Sequence, residues 1–299
     1  MKGIIIKATA GFYYVYAEGI IYECRARGIF RKEGITPLVG DNVEIHVEAG
    51  PFGQPSASSP EMGVGSVDKI LPRLNSFERP PVANVELMIL VASVKKPAPS
   101  FLMLDRFALA AEQKDSELII CVNKTDLAEE DELLRFEEHY KNAYPVIFIS
   151  AKEERGTDAL KAAVKGKKTA LAGPSGVGKS TITNLLLSDK VSATGEISEK
   201  LRRGKNTTRH TELFRGDGFY IFDTPGFTSF ENFGVDAADV SKMFPDIAKH
   251  LGFCRFDNCR HISEPDCAVK EAVSSGEISK GRYESYKEIV KAAEATTRY

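Results

Sequence analysis

Residues 167–185 read KKTALAGPSGVGKSTITNL, and this stretch decides the fold. The apolar run Thr169-Ala170-Leu171-Ala172 enters a glycine-rich turn, and Ile182, Leu185 and Leu186 leave it at helical spacing. Between them, Gly173-Pro174-Ser175-Gly176-Val177-Gly178-Lys179-Ser180 fits G-x-x-x-x-G-K-[ST] at every position. Glycines let backbone N–H groups close around phosphate oxygens, and the N-terminus of the following helix adds positive potential. Lys179 would bring a point charge to the β- and γ-phosphates, Ser180 would hold Mg²⁺, and Thr181 would continue the cradle. A chance glycine-rich turn would not need a buried strand before it and a helix after it. Both are written here, so a nucleotide-phosphate site is expected.

The chain has 299 residues, enough for two or three domains with their own cores. With 42% hydrophobic and 27% charged residues it has the composition of a globular protein, and a net charge of -2 excludes a bulk polycation. Nucleic-acid contacts would therefore come from local patches. Lys2 is followed by only a short β-like run, GIII, which is no signal peptide, and no apolar stretch approaches the ~18 residues of a membrane span. Cys24 and Cys121 stand in strand-like runs, while Cys254, Cys259 and Cys267 cluster. That is a cytoplasmic pattern with a local metal site rather than a disulfide framework.

From residue 3 to about residue 70, short β-like runs follow one another: GIIIKA, FYYVYAE, GIIYECRARG, VGDNVEIHVE and GSVDKILP. Five such strands suggest a small closed barrel, an OB-fold. The Gly-, Pro- and Ser-rich segment 49–65 between the last two reads as a loop. Phe12, Tyr13, Tyr14, Tyr16, Tyr22 and Phe30 lie near Arg25, Arg27, Arg31 and Lys32. They are either a platform for single-stranded RNA or barrel filling with a solvated basic rim.

After residue 82 strands and helices alternate, which predicts a parallel sheet with ligand sites at the carboxyl ends of its strands. VELMILVAS and SELIICVNKTDL read as buried strands, LDRFALAAEQK and DELLRFEEHYKNA as helices, and PVIFIS as a further strand. The second strand ends in Asn123-Lys124-Thr125-Asp126, and the third in Ser150-Ala151-Lys152. N-K-x-D resembles the guanine box of GTPases. A carboxylate such as Asp126 accepts from both the ring N–H and the exocyclic amine of guanine, a pair that adenine lacks. Asn123 and Lys124 would brace and cover the base, and the backbone of Ser150-Ala151-Lys152 would meet the guanine carbonyl.

Beyond the phosphate loop comes a basic run, Lys200, Arg202, Arg203, Lys205 and Arg209. It includes Thr207-Thr208, candidates for the switch threonine that holds Mg²⁺ and the γ-phosphate, with Thr208 favoured over Thr207. GFYIFD then delivers Asp223-Thr224-Pro225-Gly226, a D-x-x-G box in which Asp223 would hold Mg²⁺ through water and the Gly226 N–H would sense the γ-phosphate. Conventional GTPases have the base box and S-A-K last; here they come first. The order resembles that of circularly permuted GTPases, since joining neighbouring termini and cutting elsewhere keeps the same core.

At the other end, Cys254-x4-Cys259-x-His261-x5-Cys267 offers three thiolates and an imidazole, a set suited to one closed, structural Zn²⁺ site. VSKMFPDIAKHLG and AVKEAVSSGEISKGRYESYKEIVKAAEA read as flanking helices, and His46, His139, His210 and His250 as surface or packing residues. Barrel, permuted boxes and cysteine cluster together are similar to the bacterial family of small-ribosomal-subunit-dependent GTPases. That resemblance implies GTP hydrolysis coupled to late maturation of the small subunit and stimulated by it, with guanine nucleotides, the subunit and its rRNA as partners. Cysteine usage and the lack of an apolar span lead to the expectation of a cytoplasmic protein that does not engage a membrane, and a monomer is expected although the sequence does not reveal the oligomeric state. Asn206 departs from the His that many family members carry there.

The expected organisation is thus an OB-fold β-barrel over 1–70, a circularly permuted α/β P-loop GTPase domain over 71–230 and an α-helical zinc-binding domain over 231–299. The competing reading is an RNA-binding scaffold whose nucleotide site serves as an occupancy sensor. A metabolic kinase is disfavoured, because N-K-T-D argues for guanine and no acceptor motif accompanies it.

Overall fold

The computed structural model of the chain describes residues 1–48, 62–191, 211–223 and 235–297. It divides into two compact units: Met1–Leu87 with Val164–Ala170 and Leu186–Phe227, and Met88–Ala163 with Leu171–Leu185 and Thr228–Tyr299.

The first unit is built on a barrel of β1 (Lys2–Thr9), β2 (Phe12–Ala17), β3 (Ile20–Ala26), β4 (Asn42–Val47) and β5 (Met62–Ile70). Hydrogen bonds run β1-β2-β3-β5-β4, and β4 returns to β1 with Gly3 opposite Val43, which closes the barrel. Only the β3–β5 pair is parallel, as the OB topology requires. Alternation fills the interior with Ile5, Val15, Cys24, Val43 and Val67, all without exposed surface. Tyr22 and Phe30 are buried as barrel filling, while Phe12, Tyr14 and Tyr16 stay half-exposed on the other face of β2, with the Arg25 guanidinium over Phe12.

Two local readings change. The strand β5 starts at Met62 rather than near Gly65, because its glycines allow close backbone approach: a Cβ at Gly65 would overlap the His46 carbonyl across the β4–β5 ladder. The rest of the loop, 49–61, lies outside the described residues. A five-residue helix, α1 (Gly28–Lys32), also stands where no helical period was visible. Its N-cap Arg27 makes no side-chain capping bond, so no signature announced it.

Two short strands, β6 (Ser76–Phe77) and β7 (Val82–Ala83), pair antiparallel. The unit continues in β11 (Lys168–Ala172), β12 (Glu212–Arg215) and β13 (Tyr220–Asp223). β13 runs parallel to β11 and antiparallel to β12, and Glu212 of β12 lies opposite Lys7 of β1.

The second unit holds β8 (Leu87–Ser93), β9 (Glu117–Asn123) and β10 (Val146–Phe148), side by side in the order β10-β9-β8, with β10 parallel to β9. β8 is buried at every position, as expected for a strand covered on both faces. Helices α2 (Phe101–Glu112), α3 (Glu130–Tyr140), α4 (Thr157–Val164) and α5 (Lys179–Val191) follow the strands. Ser100 caps α2 by accepting from the Met103 N–H, and a reciprocal Glu129–Glu132 box caps α3.

The C-terminal helices are α6 (Pro245–Ala248), α7 (Ala268–Ser274) and α8 (Lys280–Thr297). The helix expected over 240–252 is instead a 3₁₀ turn, Val240–Met243, and the four-residue α6. The residue preceding a proline is pushed out of the α region, and Phe244 before Pro245 is extended at φ -112°. Phe244, Ile247, Val269, Ile278, Tyr286 and Val290 form the core of this region. No helix among the described residues is long and apolar enough to cross a membrane.

Candidate functional site

The phosphate loop joins the end of β11 to α5, and its backbone is a glycine geometry. Gly173, Gly176 and Gly178 have φ of 130°, 81° and 103°, in the left-handed region that side chains disfavour. A Cβ at Gly173 would overlap the Val91 carbonyl on β8. The Lys179 ammonium turns back into the loop and donates to the carbonyls of Gly173 and Pro174, both at 2.7 Å. Burial pushes its pKa down to about 8 from 10.5. Ser175, Ser180 and Thr181 are exposed, while Val177 is buried and anchors the loop.

The base box is bonded directly to that loop. Asn123, at the end of β9, donates from Nδ2 to the Val177 carbonyl at 2.9 Å and accepts through Oδ1 from the Ala151 N–H at 3.0 Å. One buried carboxamide thus ties N-K-T-D, S-A-K and the phosphate loop together. A Cβ at Gly178 would collide with the same Asn123 amide. Lys124 adopts φ 66°, and its ammonium donates to the carbonyls of Gly176 at 2.8 Å and Lys96 at 2.6 Å. Ser150 donates from Oγ to Asp126 Oδ1 at 2.7 Å, and that bond holds the carboxylate below its ordinary pKa. Asp126 is therefore an ionised acceptor, the state that a pair of guanine N–H donors requires. Ala151 is buried and Lys152 exposed.

Asp223 ends β13 in the first unit. Its carboxyl is raised from the ordinary value, first by burial and then by the charge of Glu212, a condition that a cation would relieve. Thr207, Thr208, Gly226, Phe227, Asn206 and the basic run at 200–209 lie outside the described residues, as does His210.

The metal-type donors converge. The ligand atoms of Cys254, Cys259, His261 and Cys267 all lie within 4.8 Å of one another. Cys254 and Cys267 each place Sγ 3.4 Å from His261 Nδ1, and their sulfurs are 3.9 Å apart. Two thiolates at about 2.3 Å from a tetrahedral zinc would be about 3.7 Å apart, so the donor set fits such an ion. The loop is braced from within and from α8. Glu264 accepts from the N–H groups of Arg260, Ile262 and Ser263, while Tyr283 and Tyr286 of α8 donate to the carbonyls of His261 and Arg260 at 2.7 and 2.8 Å.

Sequence reasoning missed one participant. The Lys96 carbonyl, which takes the Lys124 ammonium, belongs to a loop with no motif. His139, read as surface or packing, is buried and bonded to Asp105 at 2.9 Å. His46 is exposed, and His250 has its Nε2 3.5 Å from Glu277.

Encoding the base box ahead of the phosphate loop has left their hydrogen bonds intact, and that arrangement defines a circularly permuted P-loop GTPase. The family model described as "RsgA GTPase" matches residues 70–233, and that described as "RsgA N-terminal domain" matches residues 2–53. A relative from Agathobacter rectalis called small ribosomal subunit biogenesis GTPase RsgA is 44% identical over 300 residues, 96% of each chain. One of the same name from Clostridium acetobutylicum is 42% identical over 287 residues, 96% of this chain and 95% of its own. Among solved structures, YjeQ from Thermotoga maritima is similar over 98% of both chains at 34% identity and TM-score 0.80. YloQ, described as a circularly permuted GTPase, is similar over 99% of this chain and 95% of its own at 36% identity and TM-score 0.80. The chain belongs to the RsgA GTPase family and is a GTP hydrolase.

Lys179 generates a pH dependence with a defined sign. Its folded pKa is depressed, so above about pH 8 the free site holds it neutral, whereas phosphate binding demands the charged form. As pH rises from 7 to 9, GDP should bind about tenfold more weakly, with net proton uptake on binding. The same depressed pKa means that charged Lys179 costs folding stability at low pH, and that this cost is relieved as pH rises through 8 toward 10.5. Calorimetry in buffers of different ionisation enthalpy measures the uptake. A Lys179→Met variant with the same pH slope as the parent would remove Lys179 as its source.

Proposed function

We propose that this GTPase binds the small ribosomal subunit, acts in its late maturation, and hydrolyses GTP in response to that docking. The observation that carries the reading is the Asn123 bridge between base box and phosphate loop, in a chain whose full-length relatives are named for small ribosomal subunit biogenesis. In this reading Asp126 selects guanine, with Asn123, Lys124, Ser150, Ala151 and Lys152 shaping its pocket. Gly173, Pro174, Ser175, Gly176, Val177, Gly178 and Thr181 wrap the phosphates, and Lys179 neutralises their charge. Ser180, Thr208 and, through water, Asp223 hold Mg²⁺, which offsets charge building on the phosphate oxygens. Gly226 senses the γ-phosphate.

Phe227 follows the D-x-x-G box where Ras-like GTPases have a water-positioning Gln. A phenyl ring can neither orient nor deprotonate water, so the isolated chain turns over slowly and the docked subunit completes the site. Cys254, Cys259, His261 and Cys267 hold one Zn²⁺ in a structural role, since four protein donors leave no open position. The reading keeps the barrel at 1–70, the GTPase domain at 71–230 and the zinc module at 231–299, in a cytoplasmic monomer that contacts rRNA through the basic run at 200–209.

Phosphate release measured with and without purified small subunits tests the reading: subunits should accelerate it at least tenfold. An isolated protein already working at the full rate would refute the docking requirement. Cys259→Ala should release zinc, unfold the C-terminal region and weaken subunit binding far more than GDP binding. Equal loss of both affinities, or of neither, would contradict the assigned role of the zinc module.

A further inference from the structure

The N-terminal turn of α8 buries a guanidinium. Arg282 is 1% exposed, donates from Nη1 to Asp105 Oδ1 at 2.6 Å on α2, and grips Asp246 of α6 through Nη2 at 3.0 Å and Nε at 3.3 Å. The rings of Phe244, Tyr144 and Tyr140 surround it, with centroids 4.4, 5.3 and 5.6 Å from Cζ. The second oxygen of Asp105 meets His139 Nε2 at 2.9 Å on α3, and the His139 ring stacks on Phe101 of α2 at 4.3 Å. One cationic side chain therefore locks α2, α3, α6 and α8 in a single cluster.

Stability alone does not call for charges here. Apolar residues of similar volume commonly replace a buried ion cluster without loss, whereas directional ion pairs fix angles and register. Two of the helices held by this cluster, α2 and α3, follow loops that meet at the base box. α3 follows Asn123-Lys124-Thr125-Asp126 after one 3₁₀ turn, Thr125–Leu127. α2 follows the loop whose Lys96 carbonyl takes the Lys124 ammonium. Beside these loops a cleft of about 400 Å³ is lined by Lys96, Pro99, Phe101, Arg135 and Phe136, with the Phe101 and Phe136 rings packed across the two helices at 5.1 Å and a Lys95–Glu132 ion pair of 3.0 Å at its edge. Asp105 lies one turn beyond Phe101 on α2 and His139 stacks on that ring, so the cluster sets how the two helices meet directly behind these loops.

We propose that Arg282 is a positioning residue for guanine recognition, acting through Asp105 and His139 on the helices that carry the Lys96 and Asn123–Asp126 loops. The turn of α8 that carries Arg282 also carries Tyr283, which braces the metal loop, with Tyr286 one turn on. Force on the metal module therefore reaches the base pocket through this cluster, and nucleotide occupancy is felt at the module in return. The inference rests on the guanine reading of Asp126 and adds a route that bypasses the phosphate side.

The test compares GDP, IDP, ADP and pyrophosphate as competitors of a fluorescent GDP on full-length protein, IDP lacking the exocyclic amine that Asp126 would hold. Arg282→Met should weaken GDP about tenfold and narrow the GDP-over-IDP preference, while pyrophosphate binding stays within about twofold. Arg282→Lys should recover part of the preference. Gly281→Ala removes no charge but sets a Cβ 2.7 Å from His139 Nδ1, and it should narrow the preference in the same direction. If Arg282→Met fails to fold, Gly281→Ala carries the test alone. Folded variants with an unchanged GDP-to-IDP ratio, or with GDP and pyrophosphate weakened equally, would overturn the proposal. A parent protein that binds ADP as tightly as GDP would instead sink the guanine reading itself.

Discussion

The nucleotide site depends on one buried carboxamide. Asn123 has a donor and an acceptor face, and the structure uses both: one for the Val177 carbonyl of the phosphate loop, the other for the Ala151 N–H of the S-A-K segment. Gly178 must be glycine because that amide occupies the space of a side chain. Such a bond is worth on the order of 1 kcal/mol when made, and leaving its buried partners unsatisfied costs more. Its greater consequence is geometric, since it ties the loop that carries Asp126 to a phosphate loop whose Val177 lies 54 residues beyond Asn123 in the chain.

Permutation is tolerated because this contact is indifferent to chain order. β8, β9 and β10 assemble next to one another whichever segment is translated first, and the loops at their ends converge on the same point. Lys124 reinforces the point by donating to two carbonyls, Gly176 and Lys96, from a left-handed backbone that frees its side chain to cross the loop.

Much of this was legible in the sequence, because the signals are local. The barrel strands are written in period-two alternation, the phosphate loop in its glycines, and the metal loop in the spacing of Cys254, Cys259, His261 and Cys267. What was illegible depends on packing or on backbone context. Met62 and Gly63 look like loop residues until β3 pairs beside them, and Pro245 stops a helix that the apolar pattern would have continued. Arg282 is the clearest case. An arginine in the first turn of a helix reads as a solvated surface charge, and only the fold brings Asp105, 177 residues away, to meet it. The Lys96 carbonyl carries no residue-type signal at all.

The central claim, that Asp126 reads the base from a position set by Asn123, is tested most directly by Asp126→Asn. A carboxylate accepts from the two N–H donors of guanine, whereas a carboxamide offers one donor and one acceptor and so matches xanthine, which has a carbonyl in place of the amine. Competition binding with GDP and XDP on parent and variant should show GDP preferred by the parent and XDP by the variant, with pyrophosphate binding equal in both. A variant that lost GDP without gaining XDP, or a parent indifferent to the base, would contradict the account.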